Sequence, residues 1–100
     1  MLMHDIDESK FEELISKGTV ILDFYATWCG PCKMLAPELE SLVNKNKDII
    51  VCKIDVDNHT ELARSYGVMT IPTLILYKDG ALVKKSSGYM PLSDLEEWIK

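Results

Sequence analysis

The chain has 100 residues, enough for one compact domain, and we expect a single domain that spans residues 1–100. Apolar residues make up 47% of the chain and charged residues 27%, a composition that argues against intrinsic disorder. The net charge of −5 argues against a nucleic-acid partner, because phosphate contacts need a basic surface. No apolar stretch approaches the ~20 residues that span a bilayer, so no membrane attachment is expected.

The amino-terminal segment and the cysteine count both bear on the compartment. Residues 1–8 are acidic and have neither a basic region nor a long apolar run, so they do not resemble a signal peptide. The chain has three cysteines, an odd number that fits poorly with a secreted disulfide scaffold. Both observations predict a cytoplasmic protein.

The first half of the chain predicts alternating helices and strands. A first strand would extend at most from Met3 to Ile6. Ser9 and Glu12 match an S-x-x-E capping box, which predicts a short helix that runs to about Lys17 and ends at Gly18. Residues 19–26 are β-branched and aromatic in a nearly continuous run, the pattern of a strand that is buried on both faces.

A longer helix is predicted from about Cys32 to Val43. Pro31 lies near its first turn, where the missing N–H costs nothing, and Pro37 lies inside it, where a kink is expected. Residues 49–56 then predict a second buried strand, and residues 60–66 a short helix.

The last part of the chain predicts a hairpin and a final helix. Residues 72–78 and 81–85 are apolar runs joined by Asp79-Gly80, a turn typical of a β-hairpin. Residues 91–100 carry apolar side chains at helical spacing. Together the elements predict an α/β protein with a central mixed β-sheet of four to five strands, flanked by helices on both faces.

The segment Trp28-Cys29-Gly30-Pro31-Cys32 joins the first buried strand to the longer helix. Cysteines three residues apart in a first helical turn lie close enough to form a disulfide. Cys29 would meet the free N–H groups and the positive end of the helix dipole, which stabilise a thiolate. Because the thiolate attacks disulfides, Cys29 is predicted to be the nucleophile and Cys32, expected to be more buried, the resolving thiol.

Half of a zinc site is the alternative interpretation of these cysteines. Structural zinc needs four ligands, and the remaining candidates, Cys52, His4 and His59, are scattered without ligand spacing. The sequence therefore favours redox chemistry, and no metal site is predicted. We interpret Cys52 as an inert buried thiol and the two histidines as polar surface residues.

Asp23 interrupts a strand that, by its pattern, has no face in solvent. A buried carboxylate without a partner is costly, so its pKa should rise, and it could then accept the proton of Cys32. An edge residue that faces water is the alternative. Lys53 interrupts the second buried strand in the same way and could either pair with Asp23 or face solvent. Cys52 would then point away from Asp23, because neighbouring side chains in a strand point to opposite faces.

These motifs together resemble those of the thioredoxin family, from about Phe11 to Ile99. The resemblance is carried by Trp28-Cys29-Gly30-Pro31-Cys32-Lys33, Asp23-Phe24-Tyr25-Ala26, Pro37, Asp55-Val56-Asp57, Ile71-Pro72-Thr73 and Gly88. It implies the thioredoxin fold and a protein-disulfide reductase with no cofactor beyond its own Cys29–Cys32 disulfide. It also implies a monomer that takes electrons from thioredoxin reductase and passes them to disulfide-containing proteins.

The resemblance also implies roles for single residues. Cys29 corresponds to the attacking cysteine, Cys32 to the resolving one, Asp23 to the buried acid and Lys53 to the lysine beside that acid. Pro72 corresponds to a proline preceded by a cis peptide bond.

A cis bond at Pro72 would turn the backbone of Thr70 and Ile71 towards the cysteines, ready to pair with an extended target segment. The target-binding surface implied by the family comprises Trp28, Gly30, Pro31, Thr70, Ile71, Pro72 and Gly88.

The sequence departs from the family at two places. Tyr25 stands where many thioredoxins have tryptophan, and Met69-Thr70 precedes Ile71 where a small or basic residue is common. Both departures bear on target choice rather than on the chemistry.

Two other functions stay open at this stage. One is an enzyme that oxidises or isomerises disulfides, although such relatives often carry a histidine between the cysteines where this chain has Gly30-Pro31. The other is a redox-inactive binding module, which would be expected to have lost an active cysteine or Asp23.

Overall fold

The computed structural model describes residues 1–100, which form five strands and four helices. The strands are β1 (Leu2–Met3), β2 (Thr19–Tyr25), β3 (Ile50–Asp55), β4 (Thr73–Lys78) and β5 (Ala81–Ser87). The helices are α1 (Phe11–Ile15), α2 (Gly30–Lys45), α3 (Thr60–Ser65) and α4 (Leu92–Trp98), and a 3-10 turn, Glu8–Lys10, precedes α1.

The strands form one mixed sheet in the order β1-β3-β2-β4-β5. β1 and β2 are parallel to β3, whereas β4 is antiparallel to both β2 and β5. In the hairpin between β4 and β5, Asp79 and Gly80 both adopt positive φ, 49° and 85°, as a two-residue turn of this kind requires. The predicted mixed sheet is therefore confirmed, with five strands.

Two hydrophobic cores lie on the two faces of the sheet, because successive side chains of a strand point to opposite faces. On one face, Ile21 of β2 packs with Leu35 and Leu39 of α2 and Leu95 of α4. On the other face, the core includes Ala63 of α3, and α1 packs against it. β2 is buried on both sides, which explains its nearly continuous apolar sequence.

The amino-terminal region differs from the prediction. Asp7, not Ser9, caps the first turn, and its carboxylate accepts both the N–H and the hydroxyl of Ser9, at 3.0 and 2.6 Å. A charged acceptor two residues upstream takes the place of the serine, and α1 ends at Ile15 rather than Lys17. β1 also lies earlier than expected, because Leu2 and Met3 are the residues that pair with β3.

The helix that follows β2 starts two residues earlier than predicted. α2 begins at Gly30 and continues through Pro37 to Lys45. Pro37 has no N–H, so it cannot donate the helical hydrogen bond that the carbonyl of Lys33 would otherwise accept. No helix of the chain has the length and hydropathy that a bilayer crossing requires.

Candidate active site

Cys29 and Cys32 form a disulfide where β2 ends and α2 begins. Cys29 is the N-cap residue of α2, and Pro31 occupies the first turn. The two Cα atoms are 5.3 Å apart, a spacing that the first turn of the helix imposes. The disulfide therefore lies at the carboxyl end of β2, where crevices in α/β proteins commonly form.

The two sulfurs differ in their hydrogen bonds. The N–H of Cys32 donates to Sγ of Cys29 across 3.2 Å, and Sγ of Cys32 accepts no comparable bond. In the reduced protein the same donor and the helix dipole would stabilise a negative charge on Cys29. Burial does not distinguish the cysteines, contrary to expectation, since Cys29 is 4% exposed and Cys32 is 3% exposed.

Asp23 is buried in the middle of β2, with 1% of its surface exposed. It projects from the same face as Ile21, which is the face that α2 covers. Burial raises the pKa of Asp23 to about 6, against the attraction of the Lys53 charge. Its Oδ1 has no hydrogen-bond partner. These observations exclude the alternative that Asp23 faces water.

Lys53 lies beside Asp23 on the neighbouring strand, as the register of β2 and β3 requires. Its Nζ is 3.7 Å from Oδ2 of Asp23 and 4.5 Å from the centre of the Tyr25 ring. At 3.7 Å the ammonium acts on the carboxylate mainly as a charge, since a strong hydrogen bond is shorter. Lys53 therefore pairs with Asp23, one of the two arrangements that the sequence left open. The contact between the Lys53 ammonium and the Tyr25 ring was not predicted from the sequence.

Cys52 faces away from this pair and is fully buried in the opposite core. Burial raises the pKa of its thiol to about 12, so it stays protonated and unreactive at neutral pH.

A small pocket of about 120 Å³ opens beside Cys32. Its lining includes Cys32, Lys53 and Tyr25. A space of this size, with polar groups in its wall, admits water to the resolving cysteine.

The loop before β4 lies against Cys29. The carbonyl oxygen of Ile71 is 3.7 Å from Sγ of Cys29, and the Ile71–Pro72 peptide bond is cis. The N–H of Gly88 donates to the carbonyl of Pro72 at 2.9 Å, which brings Gly88 to the same surface. The N–H groups of Thr70 and Ile71 donate no backbone hydrogen bond.

Trp28 is 68% exposed, which excludes a role in core packing. Its indole Nε1 donates to Oδ2 of Asp57 at 3.0 Å. Gly30 and Pro31 are also exposed at the start of α2. A groove of about 220 Å³ beside Trp28 is lined by Trp28, Val56, Ala63, Val68, Met69, Thr70 and Ile71.

Sequence reasoning missed two features of this surface. Asp57 lies in the Asp55-Val56-Asp57 motif, but the sequence pattern does not predict its hydrogen bond with the indole of Trp28. Val56, Ala63 and Val68 resemble ordinary core residues in sequence, and only the fold places them along the groove.

The rest of the molecule contains a large groove but no cluster of metal-binding side chains. A groove of about 480 Å³ is lined mainly by the amino-terminal segment and α1, with Ile50 at the start of β3, and contains none of the predicted site residues. The described side chains include no group of three or more His, Cys, Asp or Glu that could hold a metal ion.

His59 is not the polar surface residue that was expected. Its Nδ1 lies 2.6 Å from Oε2 of Glu8 and its Nε2 lies 3.2 Å from Oδ1 of Asp5, with the side chain 12% exposed. Both ring nitrogens can donate only in the protonated form. The hydrogen bond to Glu8, helped by Asp5, raises the pKa of His59 above its ordinary value of 6.5.

Replacing His59 with glutamine should therefore lower the free energy of unfolding more at acidic than at alkaline pH. Because the folded pKa is raised, the stabilisation is fully present below the unfolded pKa and is lost as pH rises through the folded pKa. Urea melts at about pH 5.5 and 8.5 measure the difference, with His4→Gln as the control, since His4 makes no ion pair. An equal loss at both pH values would contradict the linkage.

Comparison with known proteins identifies the family. The sequence profile of the family described as Thioredoxin matches residues 3–100. The chain belongs to the thioredoxin family. It is 43% identical over 99 residues to the thioredoxin of Listeria monocytogenes, covering 98% of this chain and 96% of that protein. It is 47% identical over 93 residues to the thioredoxin of Bacillus subtilis, covering 92% and 89%.

Solved thioredoxin structures show the same fold. Oxidised mitochondrial thioredoxin 3 from Saccharomyces cerevisiae matches with a TM-score of 0.88 and 38% identity, over 97% of this chain and 92% of that one. A thioredoxin variant from Halobacterium salinarum matches with a TM-score of 0.89 and 38% identity, over 98% and 87%. Thioredoxins are protein-disulfide reductases, and the Cys29–Cys32 disulfide occupies their active-site position. The chain is therefore a thiol–disulfide oxidoreductase whose redox group is this disulfide.

Proposed function

We propose that this chain reduces disulfides in other proteins, with Cys29 attacking the target and Cys32 releasing it. The observation that carries this assignment is the hydrogen bond from the N–H of Cys32 to Sγ of Cys29 at the start of α2. It favours the thiolate at Cys29, and the thiolate is the attacking species. In this proposal the chain acts as one domain over residues 1–100 and as a monomer.

The exchange takes two steps. The Cys29 thiolate attacks one sulfur of the target disulfide, so a bond between Cys29 and the target forms while the other target sulfur leaves as a thiolate. Cys32 then loses its proton and attacks Sγ of Cys29, which forms the Cys29–Cys32 bond and breaks the mixed disulfide, so the second target sulfur leaves as a thiolate. The target gains two electrons, and this chain loses two.

In the second step Asp23 accepts the proton of Cys32. A carboxylate with a pKa of about 6 is mostly ionised at neutral pH yet is a better base than an ordinary aspartate. Its Oδ1 has no hydrogen-bond partner and so keeps a lone pair available. Lys53, 3.7 Å away, favours the ionised form that the reaction needs.

The target binds in this scheme as an extended segment along Thr70 and Ile71. Both residues have backbone N–H groups without a backbone acceptor, and the Ile71 carbonyl lies 3.7 Å from Sγ of Cys29. Main-chain hydrogen bonds of this kind give affinity with little sequence preference. The surrounding surface is formed by Trp28, Gly30, Pro31, Pro72 and Gly88.

Electrons reach the disulfide from a thioredoxin reductase, and the reaction takes place in the cytoplasm. A reductant of protein disulfides suits a compartment that keeps thiols reduced. The third cysteine, Cys52, is free, which fits that compartment.

Alkylation of the reduced protein tests the assignment of the nucleophile. At neutral pH, iodoacetamide should modify Cys29 at least about tenfold faster than Cys32, because only Cys29 has a donor that stabilises its thiolate. Peptide mapping by mass spectrometry after short reaction times measures the three rates. Cys52, which is fully buried, serves as the internal control. Faster modification of Cys32 or Cys52 than of Cys29 would overturn the assignment.

A further inference from the structure

The Lys53 ammonium occupies a defined place between two groups. Its Nζ is 3.7 Å from Oδ2 of Asp23 and 4.5 Å from the centre of the Tyr25 ring, and its side chain is 12% exposed. A lysine side chain is flexible and its ammonium is strongly hydrated, so an unrestrained Lys53 would extend into water. At this distance the ion pair holds the ammonium by charge and not through a short, directional hydrogen bond.

The Tyr25 ring supplies a second restraint. Tyr25 follows Asp23 by two residues in β2, so both side chains project from one face of the sheet. Lys53 pairs with Asp23 in register, and its side chain extends along the strands towards Tyr25. An aromatic face attracts an ammonium most strongly where water is partly excluded, as it is here.

We propose that Tyr25 is a positioning residue for the release step: its ring face holds the Lys53 ammonium beside Asp23 and so sets how readily Asp23 takes up a proton. The inference rests on the proposed role of Asp23 as the proton acceptor for Cys32. Tyr25 acts through Lys53 and transfers no proton. The proton moves from Sγ of Cys32 to the carboxylate, and the sulfur keeps the electron pair that forms the bond to Cys29.

Other charged groups around the pair do not replace Lys53. Asp55 follows on β3, Asp5 comes from the amino-terminal segment and Lys33 lines the pocket beside Cys32. None of them forms an ion pair with Asp23, and β4 places the uncharged Leu74 opposite it. Burial raises the pKa of Asp23, and Lys53 is the group that opposes the rise.

Tyr25 also lines the pocket of about 120 Å³ that reaches Cys32 and Lys53. Replacing Tyr25 with a smaller side chain would therefore loosen the lysine and widen the pocket at once. Both changes act in the same direction on Lys53, because water competes with Asp23 for the ammonium.

Titration of Asp23 in the oxidised protein tests the proposal. Carboxyl-carbon NMR follows Asp23 directly, and the disulfide keeps both active cysteines from titrating. Tyr25→Leu should raise the midpoint of the Asp23 titration by about half a pH unit, a threefold gain in proton affinity. Tyr25→Phe keeps the ring face and should titrate as the unmodified protein does. Tyr25→Ile, which suits a strand, provides a second ring-free variant if the leucine variant folds poorly.

A double-mutant cycle separates positioning from general loosening. In a Lys53→Met background Tyr25→Leu should leave the Asp23 midpoint unchanged, because the charge that the ring holds is gone. In the reduced protein, the pH dependence of mixed-disulfide release should shift with the Asp23 midpoint in Tyr25→Leu. An unchanged midpoint in both ring-free variants, or an equal rise without Lys53, would overturn the role of Tyr25. Neither result would affect the proposed function, which the cysteine experiments test independently.

Discussion

Replacing Cys32 with serine should convert the protein from a reductase that turns over into a trap for its targets. Cys29 keeps its position at the start of α2 and the N–H donor at residue 32, so attack on a target disulfide proceeds. The serine hydroxyl cannot resolve the mixed disulfide, and the complex accumulates. Reduction of insulin disulfides with NADPH and a thioredoxin reductase should fall by about a thousandfold or more.

Two matched variants control this experiment. Cys29→Ser removes the attacking sulfur and should trap no target, while Cys52→Ala should retain turnover, since Cys52 lies in the opposite core. Non-reducing electrophoresis followed by mass spectrometry counts and identifies the trapped proteins. If Cys29→Ser traps targets and Cys32→Ser does not, the two roles are reversed. The unmodified protein tests the electron donor. If it reduces insulin with dithiothreitol but not with NADPH and thioredoxin reductase, the proposed electron donor is wrong.

Much of the fold could be predicted because local pattern and burial agree. The continuous apolar run of β2 predicts a strand covered on both faces, and the two cores lie on either side of it. The Asp79-Gly80 pair predicts a tight hairpin, and both residues adopt the positive φ angles that such a turn needs. The boundaries at the amino terminus were less accurate, because Asp7 competes with Ser9 for the capping position and no local pattern ranks the two.

The candidate site could be predicted where reactive or charged residues interrupt the regular pattern of a strand or helix. Two cysteines three apart at a strand-to-helix junction, and Asp23 inside an apolar strand, are visible without a structure. Lys53 was identified as a second interruption, but its distance from Asp23 depends on the register between strands.

The contacts that sequence reasoning missed join residues far apart in the chain. The indole of Trp28 meets Asp57, and His59 meets Asp5 and Glu8 across more than 50 residues. The direction of a side chain and the packing of loops decide such contacts, and periodicity carries no information about either.

Replacing Asp23 with alanine should stabilise the fold at alkaline pH while it slows turnover. The pKa of Asp23 is about 6 in the folded protein, against an ordinary value of 3.8. Above pH 6 the carboxylate is ionised in both states, and burial of the charge costs the folded state about 3 kcal/mol. Below the ordinary value it is neutral in both states, so this cost disappears. The gain in stability from Asp23→Ala should therefore grow between about pH 3.8 and pH 6 and level off at higher pH.

The net gain should be smaller than the full electrostatic cost. Alanine leaves a small cavity beside Leu74, and Lys53 loses its partner, although its ammonium can move to water. We expect a gain of about 1 to 2 kcal/mol in the free energy of unfolding at pH 8, and none or a small loss at pH 4. Urea melts of the oxidised protein at both pH values measure it.

Lys53→Met is the matched control, because it removes the opposite charge from the same pair. It should lower stability at pH 8, where Asp23 is ionised, and change it little at pH 4. If Asp23→Ala instead loses stability at pH 8 relative to pH 4, the ion pair stabilises the fold and the raised pKa of Asp23 is wrong. A variant that is more stable at pH 8 and slower in insulin reduction would show that Asp23 costs the fold stability and serves the release of the target. A buried charge with an unpartnered oxygen is otherwise hard to explain, since substitutions that remove it are available and would increase stability.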